Sequence, residues 1–468
     1  MRNAAVNRSR LSLIPLVLAL AACTPGPDYV RPAVDTPSAF KEAALWKPAR
    51  AADFAVTEPW WTLLQDPVLD GLEQQVAVDN QNLKLAEAQY RAARANLDSA
   101  RSGLFPSLSA SASRTRSDNS LGNGSAGGNG TAYTATATLA WEIDVWGRVR
   151  RNVDSGEAKL QASAADLAAA RLSTQALLAQ TYVQLRASEL QLALLERTLT
   201  AYGRFLDLTR NRFQAGVASA LDVAQAETQL ASAQTQEIDL QNQRAQTEHA
   251  LAVLIGKPPA ALSLATAKAL PRLPETPLLL PSTLLERRPD VIAAERRVAA
   301  ANAQIGVAEA AWFPVLTLGG SLGYRNSDLA RLFDLPSRFW SLGPTLAMSL
   351  IDGGGRSAAV ALAEAGYEQT VASYRQTVLT AFQEVEDNLA ASRLLAQEAE
   401  AQGRALAAAR RSREIAENQY RAGTVSALAV TTALASELAA EAGAIAIANR
   451  RLLAAIQLLK NAAGSLAP

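Results

Sequence analysis

From Tyr133 the chain alternates. Tyr133, Ala135, Ala137, Leu139, Trp141 and Ile143 share one face, and Thr134, Thr136, Thr138, Ala140, Glu142 and Asp144 the other. Period two over about a dozen residues is enough for a tilted strand to cross a bilayer. A counterpart reads Trp340, Leu342, Pro344, Leu346, Met348 and Leu350 against Ser341, Gly343, Thr345, Ala347 and Ser349. Partner strands precede these near Ser107–Arg116 and Val315–Tyr324, and the connectors Asp118–Gly130 and Asn326–Arg338 read as solvent loops. Four strands cannot close a barrel, and an open edge in lipid costs several kcal/mol per unpaired group. Either the apolar face packs on helices in a soluble hairpin, or several chains pool their strands. Aromatics at the strand ends (Phe105, Trp141, Trp146, Trp312, Phe339, Trp340) resemble an interfacial girdle and favour pooling.

Elsewhere the pattern is helical. Gly147 to Gln214 and Gly353 to Arg421 run without a proline, each about 100 Å long at 1.5 Å per residue. Each ends in a turn. Asn211–Val223 reads NRFQAGVASALDV and Asn418–Val430 reads NQYRAGTVSALAV. Gly216 and Gly423 suit the left-handed position that ends a helix. Ser219 and Ser426 fall where the returning helix wants an N-cap, and Asp222 completes a capping box with Ser219. The return helices cover about 219–255 and 426–463, with Leu221, Ala224, Thr228 and Ala231 spaced as a coiled-coil seam.

These landmarks repeat. Phe105-Pro106 matches Phe313-Pro314, Asp144, Gly147 and Arg148 match Asp352, Gly355 and Arg356, and Gly216 matches Gly423. All lie about 208 residues apart, which makes the chain two copies of one unit. The expected organisation is residues 61–255 (a helix, strands 105–117 and 132–145, hairpin 147–255), a Pro-rich linker at 256–283, and 284–468 (a helix, strands 313–325 and 339–352, hairpin 353–463).

The N-terminus adds an address. Arg2, Arg8 and Arg10 precede the apolar run Leu11–Ala22, too short to span as a helix and suited to a secretory signal over 1–22. Leu20-Ala21-Ala22-Cys23 resembles a lipobox, which would make Cys23 the lipid-modified first residue of the mature chain; ordinary cleavage leaving a free thiol is the alternative. Residues 23–60 are Pro-rich and aperiodic, an extended anchored segment.

Composition narrows the rest. The chain of 468 residues is 49% apolar but only 5% aromatic, and its abundant Ala favours long, closely packed helices. A net charge of +1 gives no footprint for nucleic acid. One His and one Cys leave no disulfide and little for a metal site or Cys-His nucleophile. His249 reads as a solvated helix residue. Asp290, Glu295, Glu384, Glu386 and Asp387 read as helix surface charge, and Gly353-Gly354-Gly355 lacks the Lys-Ser/Thr of a phosphate loop. No enzyme is expected.

The lipobox, Gly26-Pro27-Asp28-Tyr29, the doubled helix–strand–strand–helix unit and the twin Ala-Gly turns resemble the outer-membrane factors, the TolC/OprM-like, NodT-type lipoproteins of resistance-nodulation-division efflux. The resemblance covers essentially the whole mature chain. It implies an α+β membrane protein: a homotrimer with a 12-stranded outer-membrane β-barrel continued by a 12-helix periplasmic α-barrel. Partners would be a periplasmic membrane-fusion adaptor, an inner-membrane pump and outer-membrane lipid, with no cofactor beyond lipid on Cys23.

By the same resemblance Gly216, Val217, Ala218 and Ser219, with Gly423, Thr424, Val425 and Ser426, meet the adaptor at the periplasmic tip. Their role as caps and turn residues stands beside that reading. Leu428 falls where the OprM-like branch narrows its tunnel with an apolar ring, and Asp222 matches an acidic family position. Thr432 stands where relatives commonly carry an acid, a departure that removes an acidic ring from the second repeat. The implied function is the exit channel for drugs or small toxic compounds from a Gram-negative cell. The alternatives are the exit duct of a type I secretion system and a poreless coiled-coil scaffold lipoprotein.

Overall fold

The computed structural model describes residues 25–34, 41, 59–117, 130–274 and 288–462. The signal segment, Cys23 and most of the 118–130 loop lie outside the described residues. The ordered elements are α1 (Pro67–Asp79), α2 (Gln81–Ser102), β1 (Ser107–Ser117), β2 (Gly130–Glu142), α3 (Arg148–Gln214), α4 (Ala220–Leu254), α5 (Pro289–Ala310), β3 (Val315–Asn326), β4 (Arg338–Ala347), α6 (Gly355–Arg421) and α7 (Ala427–Ala462). They fall into two compact units. The first holds Ala88–Ala164 and Ala293–Gln376 with the N-terminal residues up to Ala33; the second holds Val34–Glu87, Ala165–Ile292 and Thr377 to the C-terminus.

The first unit contains one antiparallel sheet of order β1-β2-β3-β4. Its register aligns Leu108 with Leu139, Leu318 with Trp141 and with Pro344, and Leu322 with Ala137 and with Trp340. Paired residues share a face, so one side is mainly Ala, Leu and aromatic and the other mainly Ser, Thr and Gly. Among the described residues neither β1 nor β4 has a strand on its outer side.

The strands differ from expectation at their ends. β1 and β3 begin at Ser107 and Val315, because Pro106 and Pro314 lack the N–H a ladder needs. β4 ends at Ala347, not 352, since its partner Val315 is the first residue of β3. β2 stops at Glu142, not 145: the Asp144 carboxylate instead accepts from the Val149 and Arg150 N–H at 3.0 and 2.9 Å and opens α3. Asp352 does the same for α6, accepting from Arg356 N–H at 3.0 Å and its Nε at 2.7 Å. Trp146 stacks on Phe313 at 4.8 Å and donates its indole N–H to Pro314 O at 2.8 Å, fixing the corner.

Residues 25–34, without regular structure, lie on α5. Asn302 Nδ2 donates to Pro27 O at 2.9 Å, and the Tyr29 hydroxyl donates to Glu295. Gly26 sits at φ +98°, and a Cβ there would come within 2.5 Å of Gly306 Cα, so this approach needs glycine at position 26.

The second unit is held by an apolar core that includes Leu64, Leu69, Val76, Leu178, Leu251 and Ile456. α1 and α2 are separate helices: Asn80 caps α2, its Oδ1 accepting from Leu83 N–H at 3.0 Å, while its Nδ2 donates to Leu254 O. The stretch after Gly256 is packed down. Arg186 donates to Glu189 at 2.8 Å and to Ala265 O at 2.7 Å; Arg244 donates to Glu189 and Leu264 O; Glu248 and Glu189 accept the Leu264 and Ala267 N–H. Buried charges persist only when so paired. Glu73, fully buried with no partner for its carboxyl oxygens, avoids the charge instead: burial together with Asp70 pushes its pKa up to about 9 and keeps it neutral.

Candidate docking tip and gate

Both turns form the same backbone motif. Gly216 and Gly423 sit at φ 72° and 77°, a region open to glycine at little cost. In the first, Gly216 N–H donates to Phe213 O at 2.9 Å and Val217 N–H to Arg212 O at 2.8 Å. In the second, Gly423 N–H donates to Tyr420 O and Thr424 N–H to Gln419 O, each at 3.0 Å. These crossed bonds are a Schellman close, which satisfies the last carbonyls of α3 and α6.

The restarts differ. Ser219 and Asp222 form a full capping box: Ser219 Oγ accepts from Asp222 N–H at 3.2 Å, and the Asp222 carboxylate accepts from Ser219 N–H at 2.9 Å and from its hydroxyl at 2.8 Å. After Ser426 the third residue is Ala429, which has no side chain to return the bond. There the Ala429 N–H reaches only the Ser426 carbonyl, at 3.1 Å.

The two hairpins meet in one apolar cluster. Tyr202, Phe205 and Leu206 of α3 and Ala226 of α4 pack with Tyr420, Val430 and Leu434. Arg212 lies over the Tyr420 ring at 4.5 Å and donates to Tyr420 O at 2.9 Å, so the end of α3 caps the end of α6. Around this cluster Arg210 pairs with Glu227 at 2.7 Å, Arg197 with Glu441 at 3.0 Å, and Arg413 with Glu417 and Glu437.

Among the eight tip residues Val217 is 65% exposed, while Ala218 and Val425 are half-buried, Val425 against the cluster. The others, Gly216, Ser219, Gly423, Thr424 and Ser426, are exposed. Of the gate residues, Leu428 is 55% exposed and Thr432 is also exposed, one turn further along α7. Asp222 lies on α4 with its carboxylate engaged in the cap. Sequence reasoning passed over Leu221, which occupies in the first repeat the place of Leu428 and is 66% exposed. Aligning the two turn sequences would have found it. The Arg212–Tyr420 contact carries no such signal, since Gln419 replaces Arg212 in the second turn.

The outer membrane efflux protein family model matches residues 72–257 and 280–465. The chain belongs to the outer membrane efflux protein family. It is 34% identical to outer membrane protein OprJ of Pseudomonas aeruginosa, over 97% of this chain and 95% of that protein. The toluene efflux pump outer membrane protein TtgC of Pseudomonas putida is 32% identical over 98% and 96%. The solved outer-membrane channel OprN superimposes with a TM-score of 0.87 at 32% identity, covering 95% of this chain and all of that one. The chain is thus an outer-membrane efflux channel, and its family is one of channels and not of enzymes.

Proposed function

We propose that three copies of the chain form the exit duct of a tripartite efflux assembly. They would pool four strands each into a closed barrel and their long helices into a periplasmic tunnel. The supporting observation is the sheet: among the described residues β1 and β4 are open edges and one face is mainly apolar, so closure between copies is what satisfies the backbone in lipid. Lipid on Cys23 supplies the anchor, no catalysis or cofactor is used, and an inner-membrane pump with its periplasmic adaptor delivers small toxic compounds.

The twin turns are the docking tip. In Gly216–Ser219 and Gly423–Ser426 the side chains of Val217, Ser219, Thr424 and Ser426 are exposed on Schellman closes. Leu428 closes the tunnel as an apolar ring, with Asp222 the only charged group proposed for the gate and Thr432 contributing none. Photo-crosslinking in cells from Val217 and Thr424, with mass spectrometry of the captured protein, tests the tip. Capture of an adaptor encoded with a proton-driven pump is the expected result. An adaptor of an ATP-driven exporter moves the role to protein secretion; capture of neither, from a stable trimer, overturns the tip. For the gate, Leu428→Ser is expected to make cells leaky to large antibiotics, and unchanged permeability in an assembled trimer overturns it.

A further inference from the structure

The apolar face of the sheet does not stay apolar to its loop end. Arg114 pairs with Tyr133 and Arg116 with Thr131, and Tyr133 belongs to the Ala135–Ala137–Leu139 row. Both arginines of β1 therefore stand on the apolar face. On the opposite edge Arg338 pairs with Tyr324, which pairs with Ala135 of the same row. Two edge strands thus bring three guanidinium groups to one face at one end, Arg114 and Arg338 level with the aromatics Tyr133 and Tyr324 and Arg116 one same-face position beyond. Arg325, by contrast, pairs with Thr134 and stands on the polar face.

Among the described residues Arg114, Arg116 and Arg338 make no ion pair, although Asp328 and Asp334 lie in the adjoining loop. Asp328 is occupied in capping its own turn, accepting from Ala330 N–H at 3.0 Å. Arg114 lies over the Tyr133 ring at 5.6 Å, and all three arginines are exposed. Next to them Phe333 meets Tyr324 edge-on at 5.4 Å and is itself exposed.

A set of exposed guanidinium groups with no ion pair among the described residues, at the border of a lipid-facing surface, calls for a ligand with acyl chains and phosphates at the same spacing from the membrane centre. The corners where strands hand over to helices stand at the other end of the sheet, so the end marked by the Ser117–Gly130 pair and by the turns between β3 and β4 is the outward one. We infer that Arg114, Arg116 and Arg338 bind the phosphates of the outer-leaflet glycolipid, lipid A, whose acyl chains cover the adjoining apolar face. The inference rests on the barrel reading above. In a closed trimer the Arg338 edge of one copy meets the Arg114–Arg116 edge of the next, so each seam carries all three.

Native mass spectrometry of the purified full-length channel, titrated with diphosphoryl lipid A, monophosphoryl lipid A or phosphatidylglycerol, tests it. Diphosphoryl lipid A should bind more tightly than the other two, and R114Q/R116Q/R338Q should weaken it about tenfold. R325Q, on the other face, should leave it unchanged. Equal binding by wild type and the triple variant, or no preference for lipid A over phosphatidylglycerol, overturns the inference. Single-channel conductance on the same samples separates the two readings. A pore without lipid A preference sinks only the glycolipid site, whereas a protein without a pore sinks the barrel and the site with it.

Discussion

The two tips share a backbone and divide the work differently. The first closes on itself: a full Ser219–Asp222 box restarts its helix, and its Phe213 stays 47% exposed. The second lacks a box, and the residue matching Phe213, Tyr420, is only 4% exposed, covered by Phe205 and Arg212 of the first. Duplication preserved the turn, which depends on local backbone geometry, and let the side chains specialise. The second tip is supported from outside, the first from within.

Tyr420→Ala should break this asymmetry most severely. Removing a buried aromatic costs about 3 kcal/mol or more, whereas Phe213→Ala at the matching exposed site should cost under about 1 kcal/mol. Hydrogen exchange of the turn amides in the assembled protein reads both, and equal losses would erase the distinction. Arg212→Ala comes next. Losing its ring contact and the bond to Tyr420 O should loosen the second turn by about 1–2 kcal/mol and leave the first turn closed. Gln419→Ala should change neither.

The box supplies a smaller contrast. Asp222→Ala should destabilise the start of α4 by about 1 kcal/mol, and Ala429→Asp should stabilise the start of α7 by a similar or lesser amount. An Ala429→Asp variant without added protection would mean that Ser426 cannot reach a box geometry. Glu73 is a control outside both tips. Its carboxyl titrates near 9 in the folded chain, above the ordinary 4.5. Between those values the folded state holds a proton the unfolded state has lost, so stability falls as pH rises through that window. Glu73→Gln should flatten the pH dependence of thermal unfolding without altering exchange at either turn.

Much of the fold was legible because its signals are local. Alternation from Tyr133 to Trp141 marks a strand whatever lies beside it, and Gly216 followed by Ser219 marks a turn and a cap within four residues. The ends of β2 and β4 were misread because alternation continues past the last hydrogen-bond partner, and only pairing with β3 decides where a ladder stops. The Pro-rich stretch after Gly256 looked like a bare linker. Its fixation depends on Arg244 and Glu248 of the preceding helix and on Arg186 and Glu189, nearly eighty residues back, all individually ordinary for helix surfaces. At the candidate gate, Leu428 stood out by position, while its counterpart, Leu221, was read as part of the seam with Ala224, Thr228 and Ala231 until its exposure set it apart.

By itself, then, the sequence determined the repeat, the order of helices and strands, the two turns and the apolar and polar faces of each strand. Each of these rests on contiguous or periodic residues, whose backbone preferences act over a few positions. Only the tertiary structure decided which tip supports the other and that three arginines from opposite edges of the sheet share one face. Such contacts join residues roughly two hundred positions apart, where many registers satisfy the same local preferences and packing selects one.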